Sequence, residues 1–387
     1  MREAVIVSAV RTPVGTAFKG TLRETSAEQL AVAVLTEALR RSGFEGADVD
    51  DVILAESLAG GGVIARHSAV AAGLVHVPGQ SVNRHCAGGL TAVGNAAAAI
   101  RAGMADVVVA GGSESTSMAP ELSWVDSQTG TRCAGLRPTF PHADGVDDDV
   151  TINVGWNTAQ EVGITREEMD RWALRSHQRA VRAIDNGVFA DEIVPIQVRL
   201  GGEVVDFTTD EHPRRSTTLE KLATLAPLHP EIEGFSITAG NAAGVNDAAS
   251  ALVLASADAA KAKGVDVLAR VLAWGAVGVE PRRTGMGAVE AIPAVLARAG
   301  LTTKDIDLWE INEAFACVPV AASRLLDLDE ERINVHGSGC SLGHPIAASG
   351  GRMLATLIHE LRRHGGGLGM AAMCAGGGMG GAVIVEV

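Results

Sequence analysis

An order of elements that occurs twice is the strongest constraint in this 387-residue sequence. Residues 3–10, EAVIVSAV, read as a buried strand. Thr25-Ser26-Ala27-Glu28 is a capping-box pattern that opens a helix running to about Ser42 and stopped by Gly43. Residues 51–57 read as a second strand, 65–72 as a short helix, 80–85 as a third strand, and 86–103 as a long alanine-rich helix. The apolar run 106–112 is a fourth strand and 249–256 a fifth. The series then restarts: strand 265–277, helix 286–299, strand 308–312, helix 314–326, strand 333–335, helix 345–364, and strands 368–374 and 382–387. Each half reads βαβαβαββ, which predicts two duplicated α/β layer units. The halves share little identity, so the duplication rests on element order.

Between the last two strands of the first half, from Ser113 to about Ala248, the texture changes. Prolines, Trp124, several histidines and the acidic run Asp147-Asp148-Asp149 collect here. One strong helix is announced by Thr165-Arg166-Glu167-Glu168 and ended by Gly187. An insertion of that length predicts a lid or a binding segment.

Composition excludes several classes. The 47% hydrophobic content supplies ample core, yet aromatics are 3% with no tyrosine, so Ala, Val and Leu must pack it. A net charge of −14 argues against nucleic acid or a membrane surface as partner, though not against an anion held by a local basic patch. Five cysteines without a CxxC pair predict neither a disulfide framework nor a metal site. The chain starts directly on a strand pattern and has no apolar run near a membrane-span length. A cytoplasmic location is the expectation.

In open α/β sheets, ligands sit beyond the carboxyl ends of the strands. Those ends deliver Cys86, the run starting at Asn312, the Gly337–Pro345 stretch containing Cys340 and His344, and Cys374 followed by Gly376-Gly377-Gly378. Each has a bland alternative: a buried inert thiol, a helix-capping asparagine, a structural histidine, a simple turn. Together, two thiols, an imidazole and an amide on one rim form an acyl-transfer set with backbone N–H donors nearby. Cys86, placed in the first turn of its helix, is expected to have its thiol pKa drawn down toward neutrality.

The motifs NRHCAGGL around Cys86, GGSESTS at 111–117, DEHPRRSTTLEKLATLAP at 210–227, TAGNAAGVNDAAS at 238–250, NEAFA at 312–316, GHPIAASG at 343–350 and CAGGGMGGA at 374–382 resemble those of the thiolase family, in family order over essentially the whole chain. The resemblance implies the thiolase fold: two βαβαβαββ halves in an α-β-α-β-α arrangement with an inserted loop domain. It divides the chain into an N-terminal half (1–117, completed by about 249–260), a loop domain covering the site (118–248) and a C-terminal half (261–387). It implies a CoA-dependent acyltransferase that reversibly cleaves or forms 3-ketoacyl-CoA through an acyl-Cys86 thioester. Cys374 matches the family's acid/base and His344 the residue that activates Cys86 and binds the thioester oxygen. Asn312 matches the holder of an oxyanion-hole water, and the N–H groups of Cys86 and Gly376 a second oxyanion hole. Coenzyme A and acyl-CoA are implied as substrates, with no permanently bound cofactor. Arg214 falls where the family uses an arginine against the nucleotide end, with Arg175, Arg179, Arg182 and Arg215 as neighbours. A homodimer or homotetramer is implied.

Departures from the pattern bear on substrate. Ala243 stands where many members have a serine contacting the pantetheine arm. GSGCSLGHP replaces GGAIALGHP, with Ala347 where glycine is usual, and Cys340 reads as a bystander. The 119–156 region is atypical throughout. Two rival readings fit less well. A ketoacyl-synthase-type condensing enzyme lacks a second cysteine like Cys374, and an inactive acyl-CoA-binding paralogue would not keep all four catalytic positions filled.

Overall fold

A computed structural model describes residues 2–59, 61–141 and 149–387. Asp147 and Asp148 of the acidic run lie outside the described residues. The first half contributes β1 (Ala4–Arg11), α1 (Ala27–Ser42), β2 (Asp51–Ala55), α2 (Ile64–Ala71), β3 (Gly79–Val82), α3 (Gly88–Arg101) and β4 (Val107–Ser115). After α4 (Arg166–Asp185) in the inserted region, the first half closes with β5 (Asn246–Ser256). The second contributes β6 (Ala269–Gly278), α5 (Gly287–Ala299), β7 (Leu308–Ile311), α6 (Cys317–Leu326), α7 (Ser349–Arg363), β8 (Leu368–Ala375) and β9 (Met379–Glu386).

Strand order makes the duplication explicit. The sheet runs β3-β2-β4-β5-β1-β6-β9-β8-β7, the halves joined by a short antiparallel contact of Val5 with Arg270 and Ile6 with Ala269. In the first half β2 is parallel to β3 and β4, while β5 is antiparallel to β4 and β1. The second half repeats this, with β7 parallel to β8 and β9 antiparallel to β8 and β6. The expected strand at 333–335 shrinks to one bridge, Ile333 to Trp309. Asn334 is the reason: at φ 51° it leaves the extended conformation. Its side-chain amide takes the ladder position instead, accepting from Ile311 N–H and donating to Ile311 C=O, both at 2.8 Å.

Five layers follow from which faces are buried together. α1 and α2 cover one face of the first half with Leu30, Val34 and Ile64 on Val52 and Val109. α5 and α6 cover the outer face of the second, with Ile292 and Val318 on Ile311 and Ile384. Between the halves lie α3 and α7, where Leu90, Val93, Met353 and Leu357 meet both Val108 and Val383. With so few aromatics, close approach does the packing. A Cβ on Gly112 would fall inside the carbonyl of Ala347, and one on Gly89 would stand 2.9 Å from the same oxygen.

α2 and α5 start within a residue of the sequence reading, whereas α3, α6 and α7 start two, three and four residues later than read. The first capping box is Ser26 with Gln29 rather than Thr25 with Glu28, and Thr165 caps α4 with Glu168 as read. The inserted region is more ordered than expected. It holds hairpins at Ser123–Val125 with Arg132–Ala134 and Ile196–Leu200 with Glu203–Phe207, and a π-helix at Thr151–Trp156. Buried charges tie it to the sheet. Arg11 donates to Asp210 at 2.7 and 2.9 Å and to Glu192 at 2.6 Å. Glu313 accepts from Trp172 Nε1 and Ser176 Oγ of α4, from Asn334, and from the Cys340 N–H, at 2.6–3.1 Å.

Gly112→Ala tests the junction of the halves. Overpacking there should cost about 1–3 kcal/mol, read as a lower urea midpoint at unchanged m-value. An unchanged midpoint would refute the close approach to Ala347.

Candidate active site

Cys86 sits on a tight turn between β3 and α3. His85, directly before it, has φ 43°, in the left-handed region that a non-glycine residue adopts at a cost. The helix begins at Gly88 with Ala87 as its cap, so Cys86 precedes the first turn rather than lying in it. The expected depression of its thiol pKa is overturned. Burial pushes the thiol up to about 11, although the N–H groups of Gly376 and of Cys86 itself point at the sulfur and favour the thiolate; the Glu114 carboxylate opposes them. Removal from water outweighs two backbone donors here.

The Gly376 donor comes from the turn after β8. Gly377 and Gly378 take left-handed φ values of 79° and 77°, which reverses the chain into β9 and leaves the Gly376 N–H facing Cys86. Cys374, at the end of β8, is fully buried. Its thiol is raised well above the usual range by burial, then by the neighbouring Cys86 and by Cys317. The structure thus brings Cys86, Cys374 and Gly376 together.

His344 and Asn312 form the second group. Asn312 Nδ2 lies 3.4 Å from His344 Nε2 and 3.5 Å from Nδ1, and the Asn312 Oδ1 is buried without a partner. Ser349 Oγ donates to Pro345 C=O at 2.9 Å and stands 2.6 Å from His344 Nδ1, so it serves as acceptor for an Nδ1–H. That network assigns the proton to Nδ1 and leaves the lone pair on Nε2. Burial, with Arg352 adding to it, pushes the imidazole down to about 3, so it is neutral at physiological pH. The His344 N–H is held by Asn246 Oδ1 at 2.9 Å.

Glu114, inside the motif at 111–117, joins the two groups. Its carboxylate accepts from Leu58 N–H at 3.1 Å and from Ala347 N–H at 3.2 Å, three residues past His344. Burial raises it to about 7 against those two bonds, with Asp247 and Glu56 adding to the rise. Sequence reasoning assigned roles to neither Glu114, Ser349 nor Glu313. A carboxylate inside an otherwise small and apolar strand end was the available signal for the first.

The remaining expected residues lie apart from this cluster. Cys340 directs its thiol to the carbonyls of Asn241 and Glu313 and belongs to the packing. Ala243 is half-buried and donates its N–H to Ala314 C=O at 2.9 Å, holding its loop beside the helix that Asn312 introduces. Arg214 is exposed on a surface cleft that it shares with Arg182, Arg215 and Asp185. Arg215 pairs with Asp185, Arg175 with Glu330 and Arg179 with Glu331. The guanidinium groups of Arg214 and Arg182 stand outside those pairs. Beneath Arg214 are two buried imidazoles: His177 Nδ1 accepts the Arg214 N–H at 3.1 Å, and the His212 ring fills the space of a side chain at Gly244. Both are lowered to about 4, chiefly by burial, with His212 and then Arg214 adding to the fall for His177 and Arg214 for His212. Among the described residues no group of three or more His, Cys, Asp or Glu is placed to hold a metal, and no helix is long and apolar enough to cross a membrane.

This fold and this pair of groups define a class. The thiolase N-terminal domain matches residues 4–258 and the thiolase C-terminal domain residues 265–387. The chain belongs to the thiolase family. It is 44% identical to an acetyl-CoA acetyltransferase of Pseudomonas aeruginosa over 98% of each chain. Among solved structures it resembles the Bacillus anthracis acetyl-CoA acetyltransferase with a TM-score of 0.92 and 41% identity, over 100% of this chain and 99% of that one. It also resembles human mitochondrial 3-ketoacyl-CoA thiolase with a TM-score of 0.89 and 37% identity, over 100% and 98%.

Two outcomes follow from the buried groups. Alkylation of Cys86 by iodoacetamide without substrate should be slow at neutral pH and rise about tenfold per pH unit up to pH 10, read by peptide mass. A plateau near pH 8 would show a thiol already activated. For His177 and His212, the unfolded chain takes a proton near 6.5 that the folded chain refuses until about 4. Stability is therefore full above pH 6.5 and falls as pH drops through that window, by up to about 3 kcal/mol per group. Urea titrations should show this fall, and His212→Gln should flatten it; equal slopes would remove His212 from the account.

Proposed function

We propose that the protein is a CoA-dependent acyltransferase that catalyses reversible Claisen cleavage and condensation, 3-ketoacyl-CoA plus CoA against a shortened acyl-CoA plus acetyl-CoA. The observation that supports this best is the Gly376 N–H directed at the Cys86 sulfur, with a second buried thiol, Cys374, beside it. A simple acyl carrier needs one thiol; carbon–carbon cleavage needs a nucleophile and a separate proton carrier.

In cleavage, the Cys86 sulfur attacks the 3-keto carbon and its proton passes to Nε2 of His344. Both groups rest neutral, so no buried ion pair has to be maintained before substrate arrives. The oxyanion that forms takes the N–H groups of Cys86 and Gly376, which held the thiol until then. Collapse breaks the C2–C3 bond and leaves the electron pair on the acetyl-CoA enolate. Its thioester oxygen is stabilised by His344 and by a water that the unpartnered Asn312 Oδ1 suits. Cys374 delivers the proton to C2. Coenzyme A then gives its thiol proton to Cys374 and attacks the acyl-Cys86 thioester; Cys86 leaves as the thiolate and takes its proton back from His344. Condensation is the reverse.

Arg214, with Arg182, suits the phosphates at the nucleotide end of CoA, and Ala243 borders the path of the pantetheine arm without supplying a hydroxyl. The reading includes three units at 1–117 with 249–260, 118–248 and 261–387, a cytoplasmic place of action, and a homodimer or homotetramer. The free edge of β3, with Val70 and Val75 exposed on the adjoining α2 segment, suits pairing with a second copy.

Intact-protein mass after mixing with acetoacetyl-CoA tests the reading. A mass gain of one acetyl group that disappears in Cys86→Ala is expected. With acetyl-CoA as acyl donor, Cys374→Ala should still be acylated at Cys86, while its turnover of acetoacetyl-CoA falls about 100-fold or more. Binding of CoA with no adduct in the wild type would overturn the proposal.

A further inference from the structure

One buried carboxylate beside Cys86 takes no step in the reaction described above. β2 runs parallel to both β3 and β4, so all three end on one rim: β3 leads into Cys86, β2 into Leu58, and β4 carries Glu114. That end of β4 is otherwise small, and Glu114 is 1% exposed. Its two oxygens are divided between two distant segments. Oε1 accepts the Leu58 N–H at 3.1 Å, in the first half, and Oε2 the Ala347 N–H at 3.2 Å, three residues past His344 in the second. β4 thus engages both backbone groups of Ala347, with Gly112 under the carbonyl and Glu114 on the N–H.

The residue type fits that task. An amide presents one acceptor oxygen to such a pair of donors, whereas a carboxylate presents two. Keeping the carboxylate there has a cost. Burial pushes it up to about 7 against the two bonds, and the carboxylates of Asp247 on β5 and Glu56 at the end of β2 add to the rise. Both of those have donors of their own: the Ser117 N–H for Asp247 and the Ile64 N–H for Glu56, each at 3.0 Å. For stability alone an apolar side chain would serve as well. An apolar side chain could not hold the N–H groups of two segments together.

We propose that Glu114 is a positioning residue for the reaction: by bridging Leu58 and Ala347 it holds the segment that carries His344 in register with the Cys86 turn. This rests on the thiolase reading above. The charge of Glu114 also opposes ionisation of Cys86, so the thiol keeps its proton until His344 takes it.

The test compares Glu114→Gln, which removes the charge and one acceptor, with Glu114→Asp, which keeps the charge but is one carbon too short to span both donors. Single-turnover acylation of Cys86 by acetyl-CoA, followed by intact-protein mass, should have a limiting rate lower by about tenfold or more in both variants, with the half-saturating concentration within about twofold of wild type. Alkylation of Cys86 by iodoacetamide at about pH 8 should be roughly threefold faster in Glu114→Gln alone. An unchanged limiting rate in either variant overturns the positioning role. Equal acceleration of alkylation in both shows a site that has merely loosened and overturns it as well; no acceleration in Glu114→Gln overturns the action of the charge. Should the variants fail to fold, the wild type decides: the Leu58 and Ala347 amides should both exchange slowly with D2O, and exchange of either at the rate of an unprotected amide overturns the bridge. Absence of acylation in the wild type overturns the thiolase reading, whereas normal wild-type acylation with unaffected variants overturns the role of Glu114 alone.

Discussion

The backbone of Ala347 is the point on which the site depends. Its carbonyl occupies the space that side chains on Gly112 and Gly89 would need, and its N–H is held by Glu114. Gly112 and Glu114 lie on β4, and Gly89 opens the helix that follows Cys86. Ala347 lies three residues beyond His344. The contact therefore fixes the half that carries Cys86 against the half that carries His344. Backbone packed against backbone leaves no side chain to rearrange, which suits a reaction whose groups must hold position to a fraction of an ångström. Glycine stands on both sides of the junction, since a Cβ on Gly350 would meet the Leu90 N–H just as one on Gly89 would meet the Ala347 carbonyl.

Burial then determines the protonation states. Cys86 is pushed up, His344 pushed down and Cys374 raised, all by loss of water. The resting site is a set of neutral hydrogen-bonding groups. The N–H groups of Cys86 and Gly376 are aimed at the Cys86 sulfur before any substrate arrives. In the proposed reaction, donors so placed would stabilise charge at the moment it appears rather than storing it. Ser349 contributes by fixing the proton of His344 on Nδ1, so the lone pair is on Nε2.

Much of this was legible in the sequence, and the exceptions share a cause. Element order gave the duplication, and strand ends gave Cys86, Asn312, His344 and Cys374, because period and position are local properties. Asn334 was misread as strand, since a side-chain amide replaced the backbone ladder it was expected to continue. The acidified thiol was misread because helix position is visible in sequence and desolvation is not. The hairpin around Gly201-Gly202 was missed despite a clear signal: the alternating run Ile196–Leu200 leading into a two-glycine turn, both glycines in the left-handed region. Glu114 and Glu313 were passed over because their partners, Ala347, Trp172 and Ser176, are distant in the chain.

The division of labour between the halves and the insertion follows from the same contacts. Glu313 receives two donors from α4 and two from its own half, and Arg11 holds Glu192 and Asp210 from the opposite side. Buried pairs of this kind contribute little net stability against an apolar alternative, yet breaking one partner is costly. They therefore specify a docking geometry more than they strengthen it. Fixed at both ends, the inserted region can vary between its anchors without disturbing Cys86 or His344. Cys86, Asn312, His344 and Cys374 stand on the duplicated halves, and Arg214 and the π-helix at Thr151–Trp156 stand on the inserted chain.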